Sequence, residues 1–446
     1  MILTMLSKIK NNLLLLILLG AFVLGLFYSF HFAIRPVVDA RAYDTIAANL
    51  AAGRGYRENL SVSIQDDHGV VRVGPLYEYF LAAIYKIFGH HYGAVWVIQN
   101  ILHVLSALLL YLICLRIFPD NGKGKKIGLI AAAIFAFYPD LIENSAMLMT
   151  ETVYLFLFCL ALYLFFRFFN LFNTGKTALL GLVFGLAVMA RPPVLFLAPV
   201  VIYYFWKKNQ SRRLAIRQIA IFSIIMAAVF IPWTVRNYSV YNRFWPFGPG
   251  GAYNFWIGNY HGGDGEQGAE PEILKFFDTH SNTEVYDESM KQFKGFLIAY
   301  PLEFLKITIL RINKYWSVIR PMGFWYYFAG AAKILFIFSS AAASVFLFIF
   351  GLAGAIKASK EKNEKLYYLL VFAAITPLIL FVTVVETRYR FQIYPFLAIF
   401  CGYLLANGGK WRKGRAFFYA ALIIFINGAI DFILNAERVL ERLKEL

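Results

Sequence analysis

Eleven ionisable side chains have types that can do chemistry, and no membrane-sorting role accounts for them. They are Asp39, Arg72, Asp140, Glu143, Glu151, Arg191, Arg236, His261, Asp264, Glu386 and Arg388. A carboxylate can take a proton as a general base, or it can cap a helix by accepting hydrogen bonds from first-turn N–H groups. An arginine presents a planar fork of donors that matches phosphate oxygens two at a time. Whether these groups act together depends on the elements that carry them.

Those elements are read as membrane spans. The 446 residues are 60% hydrophobic and only 15% charged, against about 25% charged in an ordinary soluble domain. The apolar residues fall into runs of about 20, the length that crosses a hydrocarbon layer. The net charge of +17 is not that of a nucleic-acid binder. The basic residues form short clusters between apolar runs, as in cytoplasmic loops, and no nucleic-acid-binding motif accompanies them. Cys114, Cys159 and Cys401 each lie inside an apolar run without metal-ligand spacing, and read as small buried residues.

Lys8 and Lys10 set the N-terminus inside. The run 11–34 is too long for a signal peptide and reads as a retained first span. Residues 37–91 then form a first outer loop, with an interfacial helix at 74–89. "RIFPDNGKGKK", "WKKNQSRRLAIR", "KASKEKNEK" and "KWRKGR" are cytoplasmic. "ARPP" marks an outer turn between spans, because proline does not continue a helix without cost. Residues 233–330 form a long outer segment. Within it, "PLEFLKITILRINKYWSVI" lies in the interface, since crossing would move "KASKEKNEK" outside. The expectation is one polytopic all-α domain over 1–446 with about eleven spans, twelve or thirteen being the alternatives. Residues 434–446 form a short C-terminal helix or tail. In this topology all eleven side chains reach the outer face, although the orientation was set with other charges.

In this order, "VDARAYDTIAANLAAGRGY", "GPLYEYFLAAIY", "MTETVY", "ARPP", "PWTVRNY", "YNFWIGNYHGGDG" and "ETRYRFQIYPFLAIF" resemble the GT-C superfamily of membrane glycosyltransferases. The branch they resemble most is the family-39 or aminoarabinose-transferase-like group, related to protein O-mannosyltransferases. The resemblance implies a polytopic GT-C fold in a bacterial-type plasma membrane, with its site facing the extracytoplasmic side. It implies transfer of a sugar, with inversion, from a polyprenyl-phosphate donor to the hydroxyl of a glycolipid, polysaccharide or protein. The acid of the first outer loop, the general base in that group, matches Asp39. Asp44, five positions on and on another helix face, reads as solvated. Arg388 within "ETRYR", helped by Tyr389, Arg191 and Arg236, is expected to meet the donor phosphate. Glu151, Arg72, Glu143, His261 and Asp264 are expected around the substrate cavity.

No cofactor is implied. The spacing of His261, Asp264 and Glu266 fits no dedicated metal loop, and "VGP" at 73–75 stands where the branch carries Glu-Lys-Pro, so no metal site is assigned and divalent-metal assistance is left open. The remaining partners are membrane lipids, with no role for nucleic acid. The alternative class is a lipid or solute transporter. It would show interrupted helices paired in two related halves, and the sequence has no clear internal repeat.

Overall fold

The computed structural model describes residues 2–71, 75–119, 122–266, 270–320, 330–406, 408 and 414–437, the side chains of 2–12, 70 and 71 excepted. Among the described residues nineteen α-helices and three 3₁₀ turns occur, and no β-strand; 79% of the chain is helical. Three long helices, α1 (Ile2–Phe32), α4 (Tyr92–Ile117) and α10 (Arg212–Tyr241), are apolar enough to cross a membrane. So are α15 (Gly330–Ala358), the pair α16 (Glu364–Ile375) and α17 (Leu378–Val382) taken together, and α19 (Arg415–Leu434). A seventh span arises if α5 (Lys123–Ala136) and α6 (Pro139–Ala146), bent by 55° at their junction, are counted as one.

By length and composition this gives six or seven spans among the described residues, against the eleven expected. The difference lies in helices that stop short. These are α7 (Glu151–Arg167), α8 (Thr174–Ala190), α9 (Ala198–Lys208) and α18 (Tyr394–Leu405). Pro192 and Pro193 open a 3₁₀ turn between α8 and α9, and a second turn, Thr387–Ile393, leads into α18.

Helices in lipid gain nothing from hiding apolar surface from one another, so small residues that let backbones approach are what bind them. Gly181 and Gly185 do this between α8 and α10. A Cβ at Gly181 would lie 2.8 Å from the Phe222 carbonyl oxygen, and one at Gly185 would lie 2.8 Å from Val229 Cγ2. Gly354 lets α15 meet α18 in the same way, against the Phe400 backbone.

Between α1 and α4 the outer loop folds into α2 (Asp39–Ala51) and α3 (Leu76–Phe88), which pack on one another. The second outer region holds α11 (Gly250–Gly258), α12 (Pro271–Thr279), α13 (Asn282–Ala299) and α14 (Pro301–Trp316). Ser281 and Glu284 form a reciprocal cap at the start of α13. α14 exposes Leu302, Leu305, Ile309 and Ile312 and buries Ile307, Arg311 and Lys314, the pattern of a helix lying in an interface. α10 runs through Pro232 to Tyr241, so this helix extends past the outer boundary read at 232–237. Of the C-terminal stretch read at 434–446, residues 438–446 lie outside the described residues.

Candidate active site

The chain leaves α1 and turns sharply before α2. Val38, the residue preceding Asp39, has φ 48 and ψ −115. A β-branched residue at positive φ is strained, and such strain collects at functional sites. Val38 is the N-cap of α2, so Asp39 stands one position inside the helix. Its carboxylate points across to another element. Arg388 Nη1, on the 3₁₀ turn ahead of α18, donates to Asp39 Oδ2 at 2.9 Å, and Arg388 Nε donates to Glu386 Oε2 at 2.5 Å.

A second ion pair stands beside the first. Arg191 caps the C-terminus of α8 and Glu151 opens α7. Arg191 Nη2 donates to Glu151 Oε1 at 2.6 Å, and Nε donates to Thr150 Oγ1 at 3.2 Å. Glu151 is completely buried and Arg191 nearly so. The Tyr389 ring joins the two pairs, with the Arg191 and Arg388 guanidinium carbons each 5.4 Å from its centroid. Asp39, Glu386, Arg388, Tyr389, Arg191 and Glu151 thus form one continuous polar cluster, built from α2, α7, the end of α8 and the turn before α18. Burial works against the charge on Arg388, but Glu386 first, then Tyr389, Asp39 and Glu151, outweigh it and hold the guanidinium pKa well above its ordinary value. Tyr43, one helical turn after Asp39, has its hydroxyl pKa raised, first by burial and then by the Asp39 charge.

Arg236 stands apart. Its guanidinium carbon lies 4.9 Å from the Trp233 ring centroid, 5.4 Å from Tyr241 and 5.6 Å from Tyr56. No hydrogen bond or ion pair joins it to the Asp39–Arg388 cluster among the described residues. Close to Tyr56, Glu78 of α3 is fully buried. Burial pushes its carboxyl up to about 8, against smaller lowering contributions from its own backbone N–H and the Tyr56 hydroxyl.

The glycine-rich loop also departs from expectation. His261 Nδ1 contacts Glu303 Oε2 at 2.8 Å, and Asp264 Oδ2 pairs with Lys314 Nζ at 2.9 Å. Both therefore pin the loop to α14 rather than joining Asp39. Glu266 extends this network to Lys314 and Arg320, and the Val385 N–H donates to the Gly265 carbonyl at 3.2 Å, so the loop edges the chain that leads into Glu386. Glu143 is wholly buried in α6 with Asp140, beside Tyr28, and its oxygens accept no hydrogen bond among the described residues. Arg72 lies outside the described residues. Among the described residues no group of three or more His, Cys, Asp and Glu side chains is placed to hold a metal ion.

Asp44 is not solvated. Tyr85 Oη donates to its Oδ1 at 2.6 Å, His90 Nε2 approaches the same oxygen at 2.7 Å, and Tyr92 Oη donates to Oδ2 at 2.7 Å. This carboxylate latches α2 to α3 and to the start of α4, and so fixes the helix that presents Asp39. Arg390 serves the turn rather than the site. Its Nη1 donates to the Ser317 carbonyl at 2.6 Å and its Nε to that of Thr387 at 3.2 Å. Thr150 completes the Arg191 contacts, and its place beside Glu151 in "MTE" was its only sequence signal.

Residues 71–235 match the family model described as dolichyl-phosphate-mannose-protein mannosyltransferase. No curated protein matches the sequence. Among solved structures, the apo oligosaccharyltransferase of Archaeoglobus fulgidus aligns with a TM-score of 0.56 at 15% identity, over 97% of this chain and 56% of that one. The same organism's oligosaccharyltransferase AglB, in complex with an inhibitory peptide and a dolichol-phosphate, aligns with a TM-score of 0.52 at 13% identity, again over 97% and 56%. ArnT from Cupriavidus metallidurans bound to undecaprenyl phosphate aligns at 0.41 and 13% identity, over 87% of this chain and 76% of that one. This chain thus spans little more than half the length of the oligosaccharyltransferase, and at such identities the likeness establishes the fold. That fold is the polytopic all-α architecture of GT-C membrane enzymes. The family-model match adds that residues 71–235 are similar to the dolichyl-phosphate-mannose-protein mannosyltransferase family.

Proposed function

We propose that this protein is an inverting glycosyltransferase. It passes a sugar from a polyprenyl phosphate to an acceptor hydroxyl at the extracytoplasmic face of a bacterial-type plasma membrane. One observation carries this reading: the Asp39 carboxylate and the Arg388 guanidinium meet at 2.9 Å, where the Arg191–Glu151 pair and Tyr389 also converge. A base and two cations are what displacement of a lipid phosphate by a hydroxyl requires.

Arg388 receives the donor phosphate, with Arg191 across the Tyr389 ring as a second cation, and Glu151 and Glu386 orient the two forks. The acceptor oxygen attacks the anomeric carbon on the side opposite the phosphate. The new C–O bond forms as the bond to the phosphate oxygen breaks, so the configuration inverts. The electron pair of the broken bond leaves with the polyprenyl phosphate, whose negative charge the arginines meet, and the hydroxyl proton passes to Asp39. Holding the two substrates in line supplies several kcal/mol of barrier reduction, and preformed donors at the leaving oxygen supply more. The steps as written balance without a cofactor.

A cavity of about 600 Å³ beside α2, lined in part by Thr45, Asp66, His68, Asp278 and His280, is the approach we assign to the acceptor. Thr45 lies six residues beyond Asp39, about 9 Å along the helix axis. The acceptor is a glycolipid, a polysaccharide or a protein side chain. The test is transfer of radiolabelled sugar from extracted polyprenyl-phosphate sugars in membranes holding the wild type or Asp39→Asn. We expect transfer in the first and none above background in the second. Equal transfer in both overturns the role of Asp39, and no transfer from any lipid-linked donor overturns the activity.

A further inference from the structure

Helix α7 and the segment formed by the Thr387–Ile393 turn and α18 both carry the polar cluster at their N-terminal ends, with Glu151 on one and Arg388 on the other. Their C-terminal ends meet at the opposite face of the molecule. There a cavity of about 460 Å³ lies between the end of α4, the starts of α5 and α16, and the end of α18. Its apolar lining includes Ile117, Phe118, Phe169 and Leu366, and its rim includes Lys123, Lys362 and Lys365.

The charges of this rim are unbalanced. Two carboxylates, Glu361 and Glu364, also line it; Glu364 is taken by Lys208, whose Nζ lies 2.5 Å from its Oε2, whereas Glu361 accepts the Tyr403 hydroxyl and keeps its charge. No carboxylate lies within ion-pair distance of Lys123, Lys362 or Lys365 among the described residues. Two of these ammonium groups rest on rings of the cavity wall instead: Lys123 is 5.2 Å from the Tyr403 centroid, and Lys365 is 5.8 Å from that of Phe169. Lys365 also donates to the Arg116 carbonyl at 2.6 Å, which holds it at the rim. Lys123, the first residue of α5, lines the cavity, and the N-cap Gly122 supplies no side-chain cap to that helix end, where the helix dipole adds partial positive charge.

Three lysines against the one lining carboxylate that no cation pairs among the described residues leave a net positive rim around a hollow with apolar walls, which fits a ligand that is anionic at one end and apolar at the other. We propose that this cavity binds the headgroup of an anionic glycerophospholipid of the leaflet opposite the transfer site. Basic pockets between the cytoplasmic ends of spans recognise such headgroups, while a free phosphate would use the lysines and leave the apolar wall wet. Naming that leaflet cytoplasmic rests on the orientation adopted above. The binding itself does not, and its readout is lipid retention rather than transfer, so either reading can fail without the other.

The experiment uses the full chain in neutral detergent, titrated with dioleoyl phosphatidylglycerol, dioleoyl phosphatidylcholine or inorganic phosphate and read by native mass spectrometry. We expect retention of phosphatidylglycerol in preference to phosphatidylcholine, with no competition from inorganic phosphate at equal phosphorus. Lys123→Gln with Lys362→Gln weakens this binding roughly 20–30-fold, and each single variant weakens it roughly fivefold, which keeps the test readable if the double variant folds poorly. Lys207→Gln with Arg213→Gln, exposed cations elsewhere on the same face, leaves it unchanged. Equal weakening by the two double variants, equal retention of the two lipids, or displacement by inorganic phosphate overturns the proposal.

Discussion

Replacing Asp39 by Asn keeps the shape of the side chain and removes its charge and its basicity. The structure limits the damage to folding. Arg388 loses a charged partner at 2.9 Å but keeps Glu386 at 2.5 Å, and Asn can still accept from Nη1. No buried cation is stranded, so the cost falls short of the roughly 3–5 kcal/mol of breaking an isolated buried pair. It lies nearer the roughly 1.5–3 kcal/mol of one hydrogen bond to a charged group. On the proposed mechanism transfer depends on the carboxylate as base, and that loss is worth roughly 10²–10⁴-fold, or about 3–5 kcal/mol of barrier. Donor affinity should hold or rise, because Asp39 no longer competes with phosphate for Arg388. The assay is single-turnover transfer on detergent-purified protein, with donor binding measured separately. A rate within about threefold of wild type with intact donor binding would refute the reasoning. So would a rate loss that tracks loss of folded protein.

Three other outcomes are expected. Glu151→Gln strands Arg191, whose partner stands at 2.6 Å with no exposure, so it should destabilise by roughly 3–5 kcal/mol. The double change Glu151→Gln with Arg191→Gln should unfold at a higher temperature than this single variant; the reverse order would show that the pair is not what the site depends on. Asp44→Asn cannot accept all three of the contacts made at 2.6, 2.7 and 2.7 Å. It should speed amide exchange in α2 and slow transfer with Asp39 untouched, and unaltered exchange would remove the latch. Glu78 is raised from 4.5 to about 8, so below pH 4.5 it is neutral whether the chain is folded or unfolded. Between pH 4.5 and 8 the unfolded chain sheds a proton that the folded chain keeps. Stability therefore falls as pH rises, by on the order of 3 kcal/mol at pH 7, and the loss levels off above about pH 8. Glu78→Gln should flatten that slope in thermal melts, and an unchanged slope would refute the assignment.

The expected site residues that the structure brings together are those whose presence in an apolar chain is costly. Asp39, Glu151, Arg191 and Arg388 stand at the ends of apolar runs, where a charge persists only with a partner or a task, and the structure gathers all four. His261 and Asp264 pair with α14 instead of joining that cluster; they occupy a polar loop, where a charge costs little and so says little. Arg388 and Arg390 look alike in "ETRYR". At three residues per turn, positions two apart project about 240° from each other. One therefore reaches carboxylates and the other reaches backbone carbonyls. The partners of Asp44 lie 41, 46 and 48 residues further on, and no local pattern announces contacts at that separation. The eleven expected spans and the six or seven helices long and apolar enough to cross differ because apolar length in the sequence does not show where helices such as α7, α8 and α18 end.

Those breaks are what assemble the site. A buried ion pair is weak evidence for stability, since apolar side chains of equal volume commonly do as well, so the charges need another reason to be there. The interrupted helices supply places for them. Glu151 sits in the first turn of α7 and Asp39 in the first turn of α2, both at positive helix ends. Arg191 closes α8 at its negative end. Each charge matches the local dipole in sign. Arg388 is the exception: a cation near the start of the Thr387–Ile393 turn, where the backbone disfavours it, and it is held there by Asp39 and Glu386. Arg388 is therefore a buried cation balanced by side-chain carboxylates against the local dipole, and a phosphate could take the place of one of them; in the proposed mechanism the donor is on that ground assigned to Arg388 rather than to the Arg191–Glu151 pair.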